Sequence, residues 1–163
     1  MQDQRAPTTV TGWTCSGQSS CRFVSCHRPP DDQWAAALAQ LDATRARAFA
    51  EADLRHLDEV YAAGSPAKLA DAATISAYAR RGGRVHGAQL RILSCRVVSV
   101  AERRVRLDVV EELGPSRVVW NDTTSSALPQ DRPSRRVVTL VRTRVGWLIA
   151  GSRDVSPRRS ARR

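Results

Sequence analysis

The sequence lacks any long hydrophobic run, and this absence bounds where the protein works. No stretch approaches the roughly 18 consecutive apolar residues that a transmembrane helix needs. The N-terminal region likewise lacks the continuous apolar segment of a secretory signal. We therefore predict that the chain is soluble and, as written, cytoplasmic.

Motifs for phosphate binding and for nucleophilic catalysis are also missing. Gly82, Gly83 and Gly87 follow a predicted helix and lack the spacing of a dinucleotide-binding turn or a P-loop. The sequence contains no G-x-S-x-G nucleophile elbow. We therefore predict no cofactor and no serine-hydrolase chemistry.

The cysteines do not have the spacing of a metal site. Cys15, Cys21 and Cys26 with His27 have the ligand chemistry for zinc, but their C-x5-C-x4-C-H spacing lacks the C-x2-C knuckle of compact tetrahedral sites. We interpret them as thiols in a disordered tail and predict no metal. Cys95 lies in an apolar strand pattern, which is typical of a small core residue rather than of a nucleophile.

Acidic residues are outnumbered, since 26 basic residues face 16 acidic ones and give a net charge of +10. Clustered cations attract phosphate, so this balance raises nucleic acid as a partner. The charge is spread, however: residues 152–163 carry +4, residues 1–32 are neutral and the middle carries +6. Only Lys68 is a lysine, which fits a biased coding background as well as selection for arginine. An arginine-rich nucleic-acid-binding protein is therefore an alternative function, not the leading one.

A single domain over residues 33–151 is predicted between two disordered tails. The hydrophobic content of 42% suits one domain with a substantial core. Residues 1–32 are rich in Ser, Thr, Gln, Gly and Pro, and their few apolar side chains cannot offset the entropy of ordering. Residues 152–163 form the second tail, which is basic.

The domain is predicted to be organised around one amphipathic helix over residues 34–52. Asp31 or Asp32 would cap its N-terminus. Arg45 lies inside the apolar stripe of this helix, whereas Asp42 falls outside it. The apolar positions that recur at helical spacing are Trp34, Leu38, Leu41, Ala48, Phe49 and Ala52.

Two shorter helices are predicted to follow. Asp53 would cap a helix over 54–61, and Ser65-Pro66 has the N-cap and first-position residues of another. This third helix would run to about Arg81, where two glycines stop it.

Beyond Gly83 the hydrophobic period changes from helical to two, which predicts strands. Connections such as Gly114-Pro115 are too short for helical crossovers, so neighbouring strands must be antiparallel. We therefore predict an α+β fold in which three N-terminal helices pack on a curved antiparallel sheet. The predicted strands are 88–100, 103–113, 116–125, 134–144 and 147–150.

Two of these strands carry apolar residues on both faces. In the first, parity places Leu90, Ile92, Val98 and Val100 on one face, opposite Leu93, Cys95 and Val97. In the last long strand, Val138 and Leu140 lie opposite Val137, Thr139 and Val141, so one face needs a cover. We therefore predict a homodimer through the outer face of the sheet.

Several short sequence segments resemble those of a known family: Trp34 with Leu38, segment 41–50, segment 60–65, segment 78–82, segment 139–143 and Gly146-Trp147. With the order of elements, they resemble the nuclear transport factor 2-like superfamily, which includes SnoaL-like polyketide cyclases, ketosteroid isomerases and scytalone dehydratase. The nearest likeness is to uncharacterised actinobacterial proteins over residues 33–151. The resemblance implies a cone-shaped roll, but it fixes no chemistry because this superfamily hosts enzymes and binding domains alike.

Glu111 is the main catalytic candidate, because ketosteroid isomerases use a carboxylate base inside the cone. Strand parity places Glu111 on the apolar face of its strand, where burial would raise its pKa and suit a general base. The alternative, which we favour, is a carboxylate that is solvated or paired with an arginine such as Arg45. Arg45 itself would either bind an anionic ligand or neutralise Glu111.

Aromatic residues supply the remaining candidates. Tyr61 and Tyr78 are candidate oxyanion donors, although tyrosines on helices more often pack against the core. Trp120, together with Arg45 and Glu111, is assigned to the ligand pocket implied by the resemblance.

Two functions of different classes compete. The leading hypothesis is a non-catalytic domain that binds a small apolar ligand or a partner protein. The second is a cofactor-free isomerase, cyclase or dehydratase with Glu111 as base. A pocket that holds two or more convergent polar groups would favour the enzyme, whereas a cone filled by its own side chains would favour the interaction module.

Overall fold

A computed structural model describes residues 31–155 as helices followed by antiparallel strands, so the α+β prediction is confirmed. The first helix includes Asp31 and Asp32, and the last strand reaches Asp154, so both extend past the predicted domain bounds. The rest of both predicted tails, including Cys15, Cys21 and Cys26, lies outside the described residues. Within residues 31–155, no helix combines the length and apolarity needed to cross a membrane.

Helix α1 (Asp31–Glu51) lies across the fold and contacts both sheets. Asp31 and Asp32 are helical residues, so the prediction that one of them precedes the helix as its N-cap is wrong. Asp42 is only 8% exposed, so its predicted place outside the buried stripe is also wrong. Ala52 follows the helix with a left-handed φ of 54°, a conformation that ends helices.

Two shorter helices connect α1 to the strands. The predicted short helix after Asp53 is a 3₁₀-helix, Leu54–Glu59, and its N-cap Asp53 accepts a hydrogen bond from the Arg55 amide at 2.9 Å as predicted. Helix α2 (Pro66–Ala79) begins with proline at its first turn, where the missing amide costs nothing. The Ser65 side chain, at the N-cap position, makes no capping hydrogen bond.

The strands form two antiparallel sheets within the described residues. The smaller sheet has the order β1-β4-β5, and the larger has the order β2-β3-β6-β7. An isolated parallel bridge between Tyr61 and Ile149 ties the helical segment to the last strand. The strands are β1 (Gly83–His86), β2 (Leu90–Ala101), β3 (Arg104–Leu113), β4 (Arg117–Trp120), β5 (Thr124–Ala127), β6 (Ser134–Thr143) and β7 (Gly146–Asp154).

Strand β1 was not predicted, and the predicted strand 116–125 is wrong because it is two strands. Asn121 and Asp122 have left-handed φ values of 47° and 58°, which reverse the chain between β4 and β5. Asn and Asp tolerate this conformation better than other residues with a side chain. The result is a short hairpin to which β1 adds a third strand.

Strand β2 contains two register shifts against β3, at Ile92/Ser94 and at Val97/Ser99. A bulge adds a residue and therefore reverses which face the following side chains occupy. Ile92, Cys95 and Val97 consequently all pack against the core of the larger sheet. The predicted division, with Ile92 on one face and Cys95 and Val97 on the other, is wrong for this reason.

The core has two parts, joined by Leu41 and Ile149, which contact both. One part lies between the helices and the smaller sheet, and its buried members are Ala48, Phe49, Leu57, Val60, Tyr61, Ile75, Val85, Ala88 and Val118. The other lies between the first half of α1 and the larger sheet, and its buried members are Trp34, Leu38, Val105, Leu107, Val109, Val138 and Leu140.

Candidate functional site

A cavity of about 390 Å³ opens between the helices and the inner face of the larger sheet. Ligand pockets typically start at about 300 Å³, so this volume suits a small molecule. Its apolar lining consists of Leu38, Ala67, Ala70, Leu90, Ile92, Leu113, Val138 and Ile149. Its polar lining consists of Asp42, Arg45, Tyr61, Asp71, Glu111, Asp131, Arg136, Ser152 and Asp154.

One side of the cavity is built on an ion pair between α1 and α2. Arg45 donates to both carboxylate oxygens of Asp71, with Nε to Oδ2 at 2.6 Å and Nη2 to Oδ1 at 3.1 Å. Such a forked pair is the strongest geometry between these groups. The Tyr61 hydroxyl also donates to Asp71 Oδ2, at 2.6 Å. Asp71 therefore holds two neighbouring donors in place.

This cluster shifts the pKa values of its donors. Burial disfavours the Arg45 charge, but the hydrogen bond and charge of Asp71 outweigh burial and raise the pKa of Arg45. Burial first, and the Asp71 carboxylate second, raise the pKa of Tyr61 far above its usual value. Tyr61 therefore stays a neutral hydrogen-bond donor at physiological pH.

Asp42 projects from α1 between this cluster and the sheet. Its Oδ2 accepts a hydrogen bond from the Leu90 amide at 2.7 Å, while its Oδ1 lies 3.6 Å from Arg45 Nη1. Oδ1 is buried and accepts no hydrogen bond from the part of the chain that the structure describes. Burial raises the pKa of Asp42, although the Leu90 amide and Arg45 oppose it.

Glu111 faces the cavity from β3, as strand parity predicts, and is 7% exposed. Its Oε1 lies 3.3 Å from Nη1 of Arg136, which neighbours it on β6. Arg136 Nε also lies 2.9 Å from Asp154 Oδ1, without hydrogen-bond alignment. Burial raises the pKa of Glu111, Arg136 opposes this shift, and the Asp42 charge raises the pKa further.

The structure separates several residues that the sequence analysis grouped together. Glu111 pairs with an arginine, as expected, but that arginine is Arg136; Arg45 was the wrong example because it pairs with Asp71. Trp120 and Tyr78 lie outside the cavity lining and contact each other with ring centroids 6.0 Å apart. The assignment of Trp120 to the pocket is therefore wrong, because β4 belongs to the smaller sheet.

Five charged residues of the cavity were missed from sequence: Asp42, Asp71, Asp131, Arg136 and Asp154. Asp42 had a detectable signal, because residues 38, 42, 45 and 49 follow helical spacing and share one face. Asp71 and Arg136 had none, since their partners lie 26 and 25 residues away along the chain. Across residues 31–155, the structure contains no cluster of three or more His, Cys, Asp or Glu side chains suited to a metal ion.

No family model and no curated protein matches this sequence. Solved structures do match. The intermembrane-space region of the chloroplast protein ARC6 is 14% identical, and the match covers 78% of this chain and 97% of that one, with a TM-score of 0.52. Aln2 from a Streptomyces species is 15% identical over 77% of this chain and 91% of its own, with a TM-score of 0.50.

A domain of unknown function from Nostoc punctiforme, described as having a cystatin-like fold, is 13% identical over 74% of this chain and 75% of its own, with a TM-score of 0.44. Helices precede and pack on a curved antiparallel sheet in the present chain. The chain shares its fold with the ARC6 region and with Aln2. At these identities the likeness shows the fold alone, so function has to be argued from the cavity.

Proposed function

We propose that this nuclear transport factor 2-like domain binds a small amphiphilic molecule in the cavity between α1, α2 and the larger sheet. The observation that carries this proposal is the open cavity of about 390 Å³, which the side chains of residues 31–155 leave unfilled. Apolar side chains line part of it, and buried polar groups from α1, α2 and β3 converge on it. This mixture suits a ligand that has an apolar body and at least one polar group.

Binding of the neutral probe 4-phenylbutanol should be saturable in the millimolar range, as expected for a fragment of this size. Replacing Ala70 with tryptophan should weaken that binding at least tenfold, because residue 70 lines the cavity and is exposed enough to accept the larger side chain. Titration by ligand-observed NMR would measure both affinities.

Ala73→Trp is the matched control, since residue 73 is exposed on the same helix but does not line the cavity. It should leave the affinity for 4-phenylbutanol unchanged. Equal binding by the two tryptophan variants, or no saturable binding by the wild-type domain, would contradict the proposal.

A cofactor-free acid–base enzyme is the second candidate function, and the convergence of several polar groups on one cavity is the observation that favours it. Two buried carboxyls of raised pKa, Asp42 and Glu111, face the cavity. A carboxylate of raised pKa suits proton abstraction beside a carbonyl. The Tyr61 hydroxyl would have to exchange its hydrogen bond to Asp71 for one to the substrate before it could stabilise an enolate.

An enzyme of this kind should accelerate solvent-deuterium exchange into 2-tetralone, a small ketone with acidic α-protons. Glu111→Gln should then slow the exchange at least 100-fold while leaving 4-phenylbutanol affinity intact, because it removes only the base. Proton NMR would follow the exchange. Exchange no faster than in buffer would leave ligand binding as the sole function.

We also propose that the domain forms a homodimer through the outer face of the larger sheet. Val137, Thr139 and Val141 are half-buried there, opposite the buried Val138 and Leu140. Sedimentation velocity at micromolar concentration should show a dimer, and Thr139→Arg should convert it to a monomer by placing a charge on that face. A wild-type domain that sediments as a monomer throughout this range would disprove the interface.

A further inference from the structure

The charge of the cavity is opposite to that of the protein. The whole chain carries +10, yet the cavity is lined by five carboxylates and only two guanidinium groups. The carboxylates are Asp42, Asp71, Glu111, Asp131 and Asp154, and the guanidinium groups are Arg45 and Arg136. The cavity therefore has more carboxylate acceptors than cationic donors, although the chain as a whole is basic.

Both arginines are already engaged by the chain itself. Arg45 directs its fork to Asp71, donates to the Ala88 carbonyl at 3.4 Å, and lies 4.8 Å from the centre of the Phe49 ring. Arg136 lies between Glu111 and Asp154. The buried Nε of Arg136 makes no aligned hydrogen bond, but each guanidinium already has carboxylates within 3.6 Å, so an anionic ligand would have to compete with them.

The environment of Asp42 indicates independently that the cavity can accept a further hydrogen-bond donor. Asp42 is 8% exposed and lines the cavity, and its Oδ1 is buried. The guanidinium of Arg45 lies 3.6 Å from this oxygen, and no residue between 31 and 155 donates a hydrogen bond of ordinary length to it. A buried carboxylate oxygen without a donor is costly, and most such atoms in proteins have a partner. The missing partner is a hydrogen-bond donor, and beside a carboxylate a positively charged donor binds most strongly.

We propose that the ligand is a cationic amphiphile whose protonated amine lies between Asp42 and Glu111. This inference deepens the proposed function and rests on it. An ammonium group carries three donors and no acceptor, which matches a site supplied with carboxylate acceptors. The apolar body would then lie along Leu38, Ile92 and Val138, which line the same cavity.

Three probes of equal length separate charge from shape: 4-phenylbutylamine, 4-phenylbutanol and 4-phenylbutyrate. Isothermal titration at pH 7 and low salt should show that the amine binds at least tenfold more tightly than the alcohol, and that the carboxylate binds more weakly than both. Asp42→Asn should weaken amine binding at least tenfold and should weaken alcohol binding much less, because a neutral hydroxyl loses no ion pair. Asparagine still offers an oxygen to the Leu90 amide, so the fold should survive.

Asp58→Asn is the matched control for net charge, because Asp58 is exposed and pairs with Lys68 outside the cavity. It should leave the affinity for the amine unchanged. If 4-phenylbutanol binds as tightly as the amine, the proposal of a cationic ligand is wrong, but the proposed binding of an amphiphilic molecule in the cavity still stands. An equal loss of amine affinity in both Asn variants, or tighter binding of the carboxylate, would also overturn the proposal of a cationic ligand, and failure of all three probes to bind would remove the proposed function as well.

Discussion

Replacing Arg45 with methionine should lower the free energy of unfolding by about 3 kcal/mol, the low end of the cost of breaking a buried ion pair from one side, because the Arg45 and Asp71 side chains are 20% and 14% exposed. Methionine preserves helix propensity and much of the side-chain length. It leaves Asp71 buried without the guanidinium that holds both of its oxygens, and it removes the charge beside Asp42. Because α1 and α2 meet through this pair, the loss also loosens one wall of the cavity.

Urea unfolding followed by circular dichroism would measure the loss, with Arg47→Met as the control. Arg47 lies on the same helix and is about half-exposed, and it lies 3.7 Å from the exposed Glu59. Surface pairs of this kind contribute about 0–1 kcal/mol, so the control should unfold almost as the wild type does. The double variant Arg45→Met/Asp71→Leu should recover part of the Arg45→Met loss, because the Asp71 carboxylate is then no longer left without its guanidinium, although Asp42 still is. Equal stabilities of the Arg45 and Arg47 variants would contradict the assignment.

The order and type of the helices and strands could be predicted from the sequence because they depend on local hydrophobic periodicity. The change from helical to alternating period at Gly83 predicts helices before strands, and short connections predict antiparallel pairing. A bulge or a tight turn shifts the strand register by only one or two residues, and the hydrophobic pattern of the sequence does not show so small a shift. The bulges at Ile92/Ser94 and Val97/Ser99 reverse the facing of β2, and the turn at Asn121 divides a strand that reads as continuous.

The candidate site was only partly predictable for the same physical reason. Glu111 was found because a regular strand without bulges keeps its parity from Val105 onward. Its partner was not, because Arg136 reaches it through the β3–β6 register, which is set by tertiary pairing. Asp42 was set aside as a solvent-facing charge, since acids on helices are seldom buried without a partner. Here the Leu90 amide and Arg45 make that burial tolerable.

The Glu111–Arg136 pair predicts a second large effect on stability. Removing the glutamate charge should cost no stability, whereas removing the arginine charge should cost much. Burial outweighs Arg136 in setting the pKa of Glu111, so the charged carboxylate is disfavoured in the folded state even with its partner present. Glu111→Gln should therefore leave the domain as stable as the wild type, or slightly more stable, at pH 7. A fully buried ion pair that is broken at one side would instead lose about 3–5 kcal/mol.

Arg136→Met should instead lower the free energy of unfolding by about 2–3 kcal/mol at pH 8, because it leaves the Glu111 carboxylate buried without a counter-charge. The expected loss is smaller than for Arg45, since the Arg136 side chain is 39% exposed and solvent screens part of its attraction. Adding Glu111→Gln to this variant should recover most of the loss. Arg142→Met, an exposed change on the same strand, should have little effect.

The pH dependence tests the cause of this loss. An acid whose pKa is raised on folding holds its proton more tightly in the folded state, so stability falls as pH rises through the folded-state pKa. Removing Arg136 raises the pKa of Glu111 further, so the deficit of Arg136→Met should be largest at pH 8 and should shrink toward pH 5, where more of the carboxyl is neutral. Urea titrations of wild type, Arg136→Met and the double variant at several pH values would measure it. A deficit that stays constant across this range, or that persists in the double variant, would show that Arg136 stabilises the fold by packing and not through Glu111.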